Sequence, residues 1–167
     1  MVHNVHRREY ATSAERLGSI LETLASDNDL LWPHRTWAPM ILSDGLNPGS
    51  AGGHGPVRYK VEAHEPFRMV CFRFTGPHGW DGTHSFHIDA VEDGRARLTH
   101  VIDMKLHGAA LVTWSLMFRP LHDALMEDAL DRVARELDPA ARPHTRHSTW
   151  VKFLRRMLAM LLRSKAR

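Results

Sequence analysis

The chain has 167 residues, room for one domain with a proper core and too few for two comfortable ones. Hydrophobic residues at 43% and charged residues at 25% sit near the averages for globular chains, which excludes a disordered, collagen-like or polytopic membrane protein. Lys and Arg outnumber Asp and Glu by 22 to 19, and the isoelectric point is about 9.4, but this excess is local. Residues 1–138 hold 14 basic residues and all 19 acidic ones, a net −5, whereas residues 139–167 hold eight basic residues and no carboxylate side chain. The basic character therefore belongs to a tail. Asp138-Pro139-Ala140-Ala141-Arg142-Pro143 punctuates the change, since each proline disfavours helix at the residue before it. We divide the chain into a domain over 1–138, a linker over 139–147 and a helical tail over 148–167. The lone Cys71 cannot form an internal disulfide, and no charged-apolar-cleavage pattern opens the sequence, so a cytoplasmic protein is expected.

In chain order, residues 2–10 read as a short strand. Thr12 or Ser13 then caps an amphipathic helix running to Ala25, with Leu17, Ile20, Leu21 and Leu24 on one face. Residues 30–39 form a proline-broken turn or short helix, Met40-Ile41-Leu42 is a brief apolar run, and residues 44–56 read as a glycine-rich loop. Three or four strands follow with period-2 alternation. Val57, Tyr59, Val61 and Ala63 share a face with Val70, Phe72 and Phe74, then with His84, Phe86 and Ile88, and with Leu98, His100, Ile102, Met104 and Leu106. One face is apolar and the other solvated, the mark of an antiparallel sheet. After Gly108 the spacing becomes helical through Trp114, Phe118, Leu121, Leu125, Ala129, Val133 and Leu137, with a kink or break expected at Pro120. The fold class is α+β: a curved antiparallel sheet wrapped around a long C-terminal helix, with an extra amphipathic helix in the tail.

This element order, the Trp32 segment ahead of the glycine loop, and Val61-Glu62-Ala63-His64-Glu65-Pro66 leading into an aromatic strand resemble the START-like, helix-grip superfamily, also called SRPBCC. That superfamily includes polyketide cyclases, lipid-transfer domains and pollen-allergen-like proteins. Gly52-Gly53-His54-Gly55-Pro56-Val57-Arg58-Tyr59 and the run from Asp81 to Phe86 look like features of an uncharacterised bacterial branch. The resemblance spans residues 1–138 and implies a helix-grip fold with a cavity between sheet and helix. It supplies no catalytic residue, because one such cavity serves many purposes.

Of thirteen histidines, two face inward by strand parity. With a three-residue turn over residues 92–94, His84 falls opposite Ile102 and His100 opposite Phe86, which makes the two imidazoles diagonal neighbours. They are candidates for an acid-base pair assisted by Tyr59, or for hydrogen-bonded core residues. The candidate ligand-binding set is Tyr59, Phe72 and Phe74, then Trp80, His84 and Phe86, then His100, Ile102 and Met104, and Trp114, Phe118 and Leu121 on the helix. Loops 44–56 and 76–82 meet at one rim with His54, His78, Trp80, Asp81 and His107, where Gly76, Gly79 and Gly82 give the second loop freedom to move and Trp80 reads either as a flap over the cavity or as an aromatic packed on the rim. A zinc site needs three protein ligands plus water, or four, and no third inward ligand can be named, so neither metal nor cofactor is expected. Cys71 reads as structural.

In the tail, Trp150, Val151, Phe153, Leu154, Met157, Leu158, Met160, Leu161 and Leu162 fill one arc of a helix. Lys152, Arg155, Arg156 and Arg163 fill the other. Such a helix suits an anionic membrane surface or packing on its own domain or a second copy through residues 148–163. Nucleic acid is a poor match for its greasy face. Three functions stay open: a binder of a hydrophobic small molecule such as a lipid, isoprenoid or polyketide; a cyclase- or dehydratase-like enzyme using His84 and His100; or an interaction module with a filled cavity, acting through its tail.

Overall fold

A computed structural model describes the backbone of residues 1–143 and 146–165 and the side chains among them as far as residue 160. The predicted side chains of Leu161, Leu162 and Arg163, and residues 144, 145, 166 and 167, lie outside the described set. Seven antiparallel strands form one sheet in the order β1-β7-β6-β5-β4-β3-β2: β1 (Val2–Tyr10), β2 (Ile41–Leu46), β3 (Ala51–His54), β4 (Val57–Glu65), β5 (Met69–Gly76), β6 (Trp80–Val91) and β7 (Arg95–Leu106). The alternation along β4 to β7 becomes burial: Tyr59, Val70, Phe72, Phe86, Leu98 and Ile102 are all but inaccessible. The hairpin from β6 to β7 has the expected register, His84 opposite Ile102 and Phe86 opposite His100, with Gly94 in the left-handed region at the turn.

Helix α1 (Ala14–Leu21) begins at Ser13, whose hydroxyl accepts from the Arg16 amide, and it stops four residues short of Ala25. Asp29 explains the early end. Its carboxylate takes the amide protons of Ala25, Leu31 and Trp32, and so draws the chain into a turn with Ala25 at φ 62°.

The stretch read as a glycine loop is about half sheet, since the end of β2 and all of β3 lie within it. Glycine is needed there for closeness and not for slack: a Cβ on Gly52 would stand 1.9 Å from the Ile41 carbonyl oxygen. The second predicted loop is likewise shorter, because β6 already starts at Trp80.

The closing helix is broken near Pro120, as its chemistry requires. A four-residue helix, α2 (Ala110–Thr113), passes through a π-helical turn at Trp114–Phe118 into α3 (Arg119–Leu137). Leu125, Met126, Ala129, Leu130 and Val133 of α3 pack into the concave face of the sheet. Tyr10 of β1 reaches the same helix, its hydroxyl donating to the Leu130 carbonyl at 2.9 Å. The tail helix α4 (Thr149–Lys165) lies on the domain with Val151 and Leu154 buried. No helix among the described residues is long and apolar enough to cross a membrane.

Candidate functional site

Between the concave sheet and α3 lies a cavity of about 100 Å³. Strand parity delivers Phe74, Trp80, His84, His100 and Ile102 to its wall, and the broken helix delivers Trp114, Phe118 and Leu121. Tyr59, Phe72, Phe86 and Met104, the other members of the candidate ligand set, are buried but stand outside the lining. Trp32, Trp37, His54, His122, Leu125, Met126 and the tail's Leu158 also line the cavity, with Ala38 and residues 55–57. Of the predicted rim, His54 and Trp80 line the cavity, whereas His78, Asp81 and His107 are exposed.

Trp80 is no flap. It opens strand β6 with 9% of its surface exposed, set edge-on against Phe74, Trp114 and Phe118. The glycines beside it do not free it either. Gly82 pairs with Met104 in the sheet, and a Cβ there would come within 2.2 Å of the Asp103 carbonyl oxygen.

His84 and His100 meet as the register predicts. His100 Nε2 lies 3.4 Å from His84 Nδ1, a long hydrogen bond in which one ring donates and the other accepts. A neutral imidazole carries one N–H and one bare nitrogen. So whichever ring donates, the two outer nitrogens, His84 Nε2 and His100 Nδ1, are one donor and one acceptor. Both are buried and have no hydrogen-bond partner among the described residues. Phe72 and Phe74 stack near His84 at 4.7 and 5.0 Å between ring centroids. Burial in this apolar setting holds both imidazoles well below the usual 6.5, and neighbouring imidazoles push the same way. Tyr59, the proposed assistant, is committed elsewhere: its hydroxyl is 3.1 Å from His54 Nδ1, and burial pushes its pKa well above 10.

Two further histidines stand beside this pair. His122 lines the cavity from α3, 5.0 Å from the His100 ring, with neither ring nitrogen hydrogen-bonded. Burial lowers its proton affinity, with Asp123 opposing. His6 is paired with His100 across β1 and β7. It lies between two carboxylates, Nε2 at 3.0 Å from Asp123 and Nδ1 at 2.9 Å from Glu127. Burial alone would lower its pKa, but those two bonds outweigh it and raise the group above 6.5. The sequence carried a signal for His122, which precedes Leu125, Met126 and Ala129 by three, four and seven residues on the buried face of α3. His6 gave none until the partner of β1 was known.

Sheet, broken helix and cavity together define a helix-grip-like α+β protein with an internal, mostly apolar site. Solved structures with this fold include an NMR structure from Thermobifida fusca (TM-score 0.65, 12% identity, 88% of this chain and 100% of that one). A protein from Nitrosospira multiformis (TM-score 0.61, 12% identity, 81% and 95%) and CalU16 from Micromonospora echinospora (TM-score 0.56, 13% identity, 97% and 86%) are also similar. At such identities the likeness is one of fold. No protein-family model and no curated protein sequence matches the chain.

Proposed function

We propose that this protein is a START-like binder that holds a small, mainly apolar molecule in the cavity between the sheet and α3. The observation that carries this reading is the set of buried polar atoms left without partners on side chains that line an otherwise greasy space: His84 Nε2, His100 Nδ1, both nitrogens of His122, and Trp80 Nε1. Each such group is destabilising by about 1–3 kcal/mol while unpaired, so a guest offering a donor and an acceptor is favoured there. Size narrows the choice among lipid, isoprenoid and polyketide. At about 100 Å³ the space is smaller than the dry cavity of about 150 Å³ that accommodates benzene, so the guest is at most a single ring bearing a hydroxyl or carbonyl, as in a small aromatic polyketide fragment, and its entry requires the wall side chains to give way. A long acyl chain would require Leu158 and its helix to move. The low proton affinity of His84 and His100 favours hydrogen bonding to a ligand over acid-base turnover. Thermal denaturation with phenol, benzyl alcohol and acetophenone, and with toluene as the apolar control, tests this. A bound guest at hundredfold its Kd stabilises by about 2.7 kcal/mol. Oxygenated rings should raise the midpoint more than toluene, and no shift with any of them rejects the reading.

The same end of the molecule supports a second reading, that the protein works at an anionic membrane surface. Leu111, Val112 and Leu116 on the broken helix and Trp150 and Phe153 on α4 are each about half exposed or more. Trp150 is fastened to Leu116, its ring stacks on Phe153, and the exposed cations Lys152, Arg156 and Arg119 flank them. Apolar rings bordered by cations match an anionic lipid interface.

A further inference from the structure

His122 has both ring nitrogens buried without a hydrogen-bond partner among the described residues, and only 13% of its side chain is exposed. A histidine in that position needs an explanation beyond packing. Its surroundings provide one. His122 Nδ1 is 3.7 Å from Asp123 Oδ1, beyond hydrogen-bond reach, and His6 Nε2 is 3.0 Å from the same oxygen. One donor atom from each of the three residues lies within 4.8 Å of the others. Around a zinc ion with bonds of 2.0–2.1 Å, tetrahedral ligand atoms are about 3.3 Å apart, and the two measured separations bracket that value.

We propose that His6, His122 and Asp123 form a binding site for a divalent first-row metal ion of the zinc type, set in the wall of the cavity. Two imidazoles and a carboxylate are the donor set such ions take, and three protein ligands leave a fourth position for water or a guest. The outer contacts have the arrangement that orients metal ligands. Glu127 accepts from His6 Nδ1 at 2.9 Å and so directs Nε2 toward Asp123, while Asn4 donates to Asp123 at 3.0 Å. Arg8 holds Glu127 in turn at 2.8 Å. Without the ion, His6 bridges Asp123 and Glu127; on binding, the Nε2 lone pair goes to the metal and a proton held on that nitrogen leaves to solvent. Strand parity exposed only two inward histidines, and the ligands proposed here come from β1 and α3 instead.

The test uses the full chain, stripped with EDTA and dialysed. Titration with Zn²⁺ should show one equivalent bound with proton release, seen as a dependence of the calorimetric heat on the buffer's ionisation enthalpy. Co²⁺ should give the visible absorption of a four-coordinate site, a readout that needs no substitution in the core. His122→Ala and Asp123→Ala should each weaken Zn²⁺ binding by about tenfold or more, Glu127→Gln by about 10–100-fold, and His3→Gln with His78→Gln should leave it unchanged. Substoichiometric binding, an octahedral Co²⁺ spectrum, or wild-type affinity in both ligand variants overturns the proposal. Ligand binding measured in EDTA is independent of this result, so the site and the cavity reading can fail separately.

Discussion

Trp150 donates its indole N–H to the carbonyl of Leu116 at 2.9 Å, in the π-helical turn just ahead of Pro120. Residue 120 is proline and has no amide proton. The docking of the tail thus falls at the break in the closing helix, where a backbone carbonyl is reached by a side chain from 34 residues downstream. Arg155 adds to the clasp, its guanidinium 4.4 Å over the Trp37 ring and bonded to the Thr36 carbonyl.

Trp150→Phe keeps the ring and removes this donor. A neutral hydrogen bond contributes about 1 kcal/mol net, so amides of α4 should exchange with solvent about fivefold faster in hydrogen-exchange experiments, with the β6–β7 amides unaffected. Unchanged protection in α4 would show that the indole bond does not hold the tail.

Acid should destabilise the protein through His84. In the unfolded chain this imidazole protonates near 6.5, whereas in the fold burial, with His54 and His122 nearby, holds it neutral to much lower pH. Below about pH 6.5 the unfolded state therefore binds one more proton at this position, and stability falls as pH falls, by about 1.4 kcal/mol per pH unit while His84 stays neutral in the fold. His6, with its raised pKa, acts in the opposite sense but is common to wild type and variant. Urea unfolding of wild type and His84→Leu from pH 6.5 to pH 5 should show the shallower pH dependence in the variant. Parallel curves would contradict the assignment.

The membrane reading predicts that the full chain sediments with vesicles containing phosphatidylserine and much less with pure phosphatidylcholine. Each Lys or Arg near the surface contributes about 1 kcal/mol, so Lys152→Glu with Arg156→Glu should weaken binding by at least about tenfold, and Phe153→Ser should weaken it at either lipid composition. Equal sedimentation with both lipids, or no effect of the charge reversals, would exclude an anionic surface as partner.

Much of this architecture was legible in the residues because it follows from local rules. The pairing of His84 with Ile102 and of His100 with Phe86 needed only a period of two and a three-residue turn ending on Gly94. The break near Pro120 needed only its missing N–H. What escaped were features set by tertiary approach. Gly52 and Gly82 read as slack chain, yet their backbones are where strands cross too closely for a Cβ. Trp80 read equally as a rim flap or a packed aromatic, and only the approach of Phe74, Trp114 and Phe118 decides for packing. His6 reached the site only through the pairing of β1 with β7, a contact between residues almost a hundred positions apart.

The central claim is that the cavity receives a small ring with a polar group, and methyl NMR tests it at the site itself. With Ile, Leu and Met methyls labelled, addition of phenol to the EDTA-treated protein should give saturable shifts at Ile102, Leu121, Leu125, Met126 and Leu158, which line the cavity. The side-chain ¹⁵N signals of His84 and His100 should move with the same Kd. Leu121→Trp, which fills part of the volume, should abolish both sets of shifts. Saturable shifts confined to surface methyls such as Leu111 and Leu116, with the cavity methyls and both imidazoles unmoved, would contradict the account.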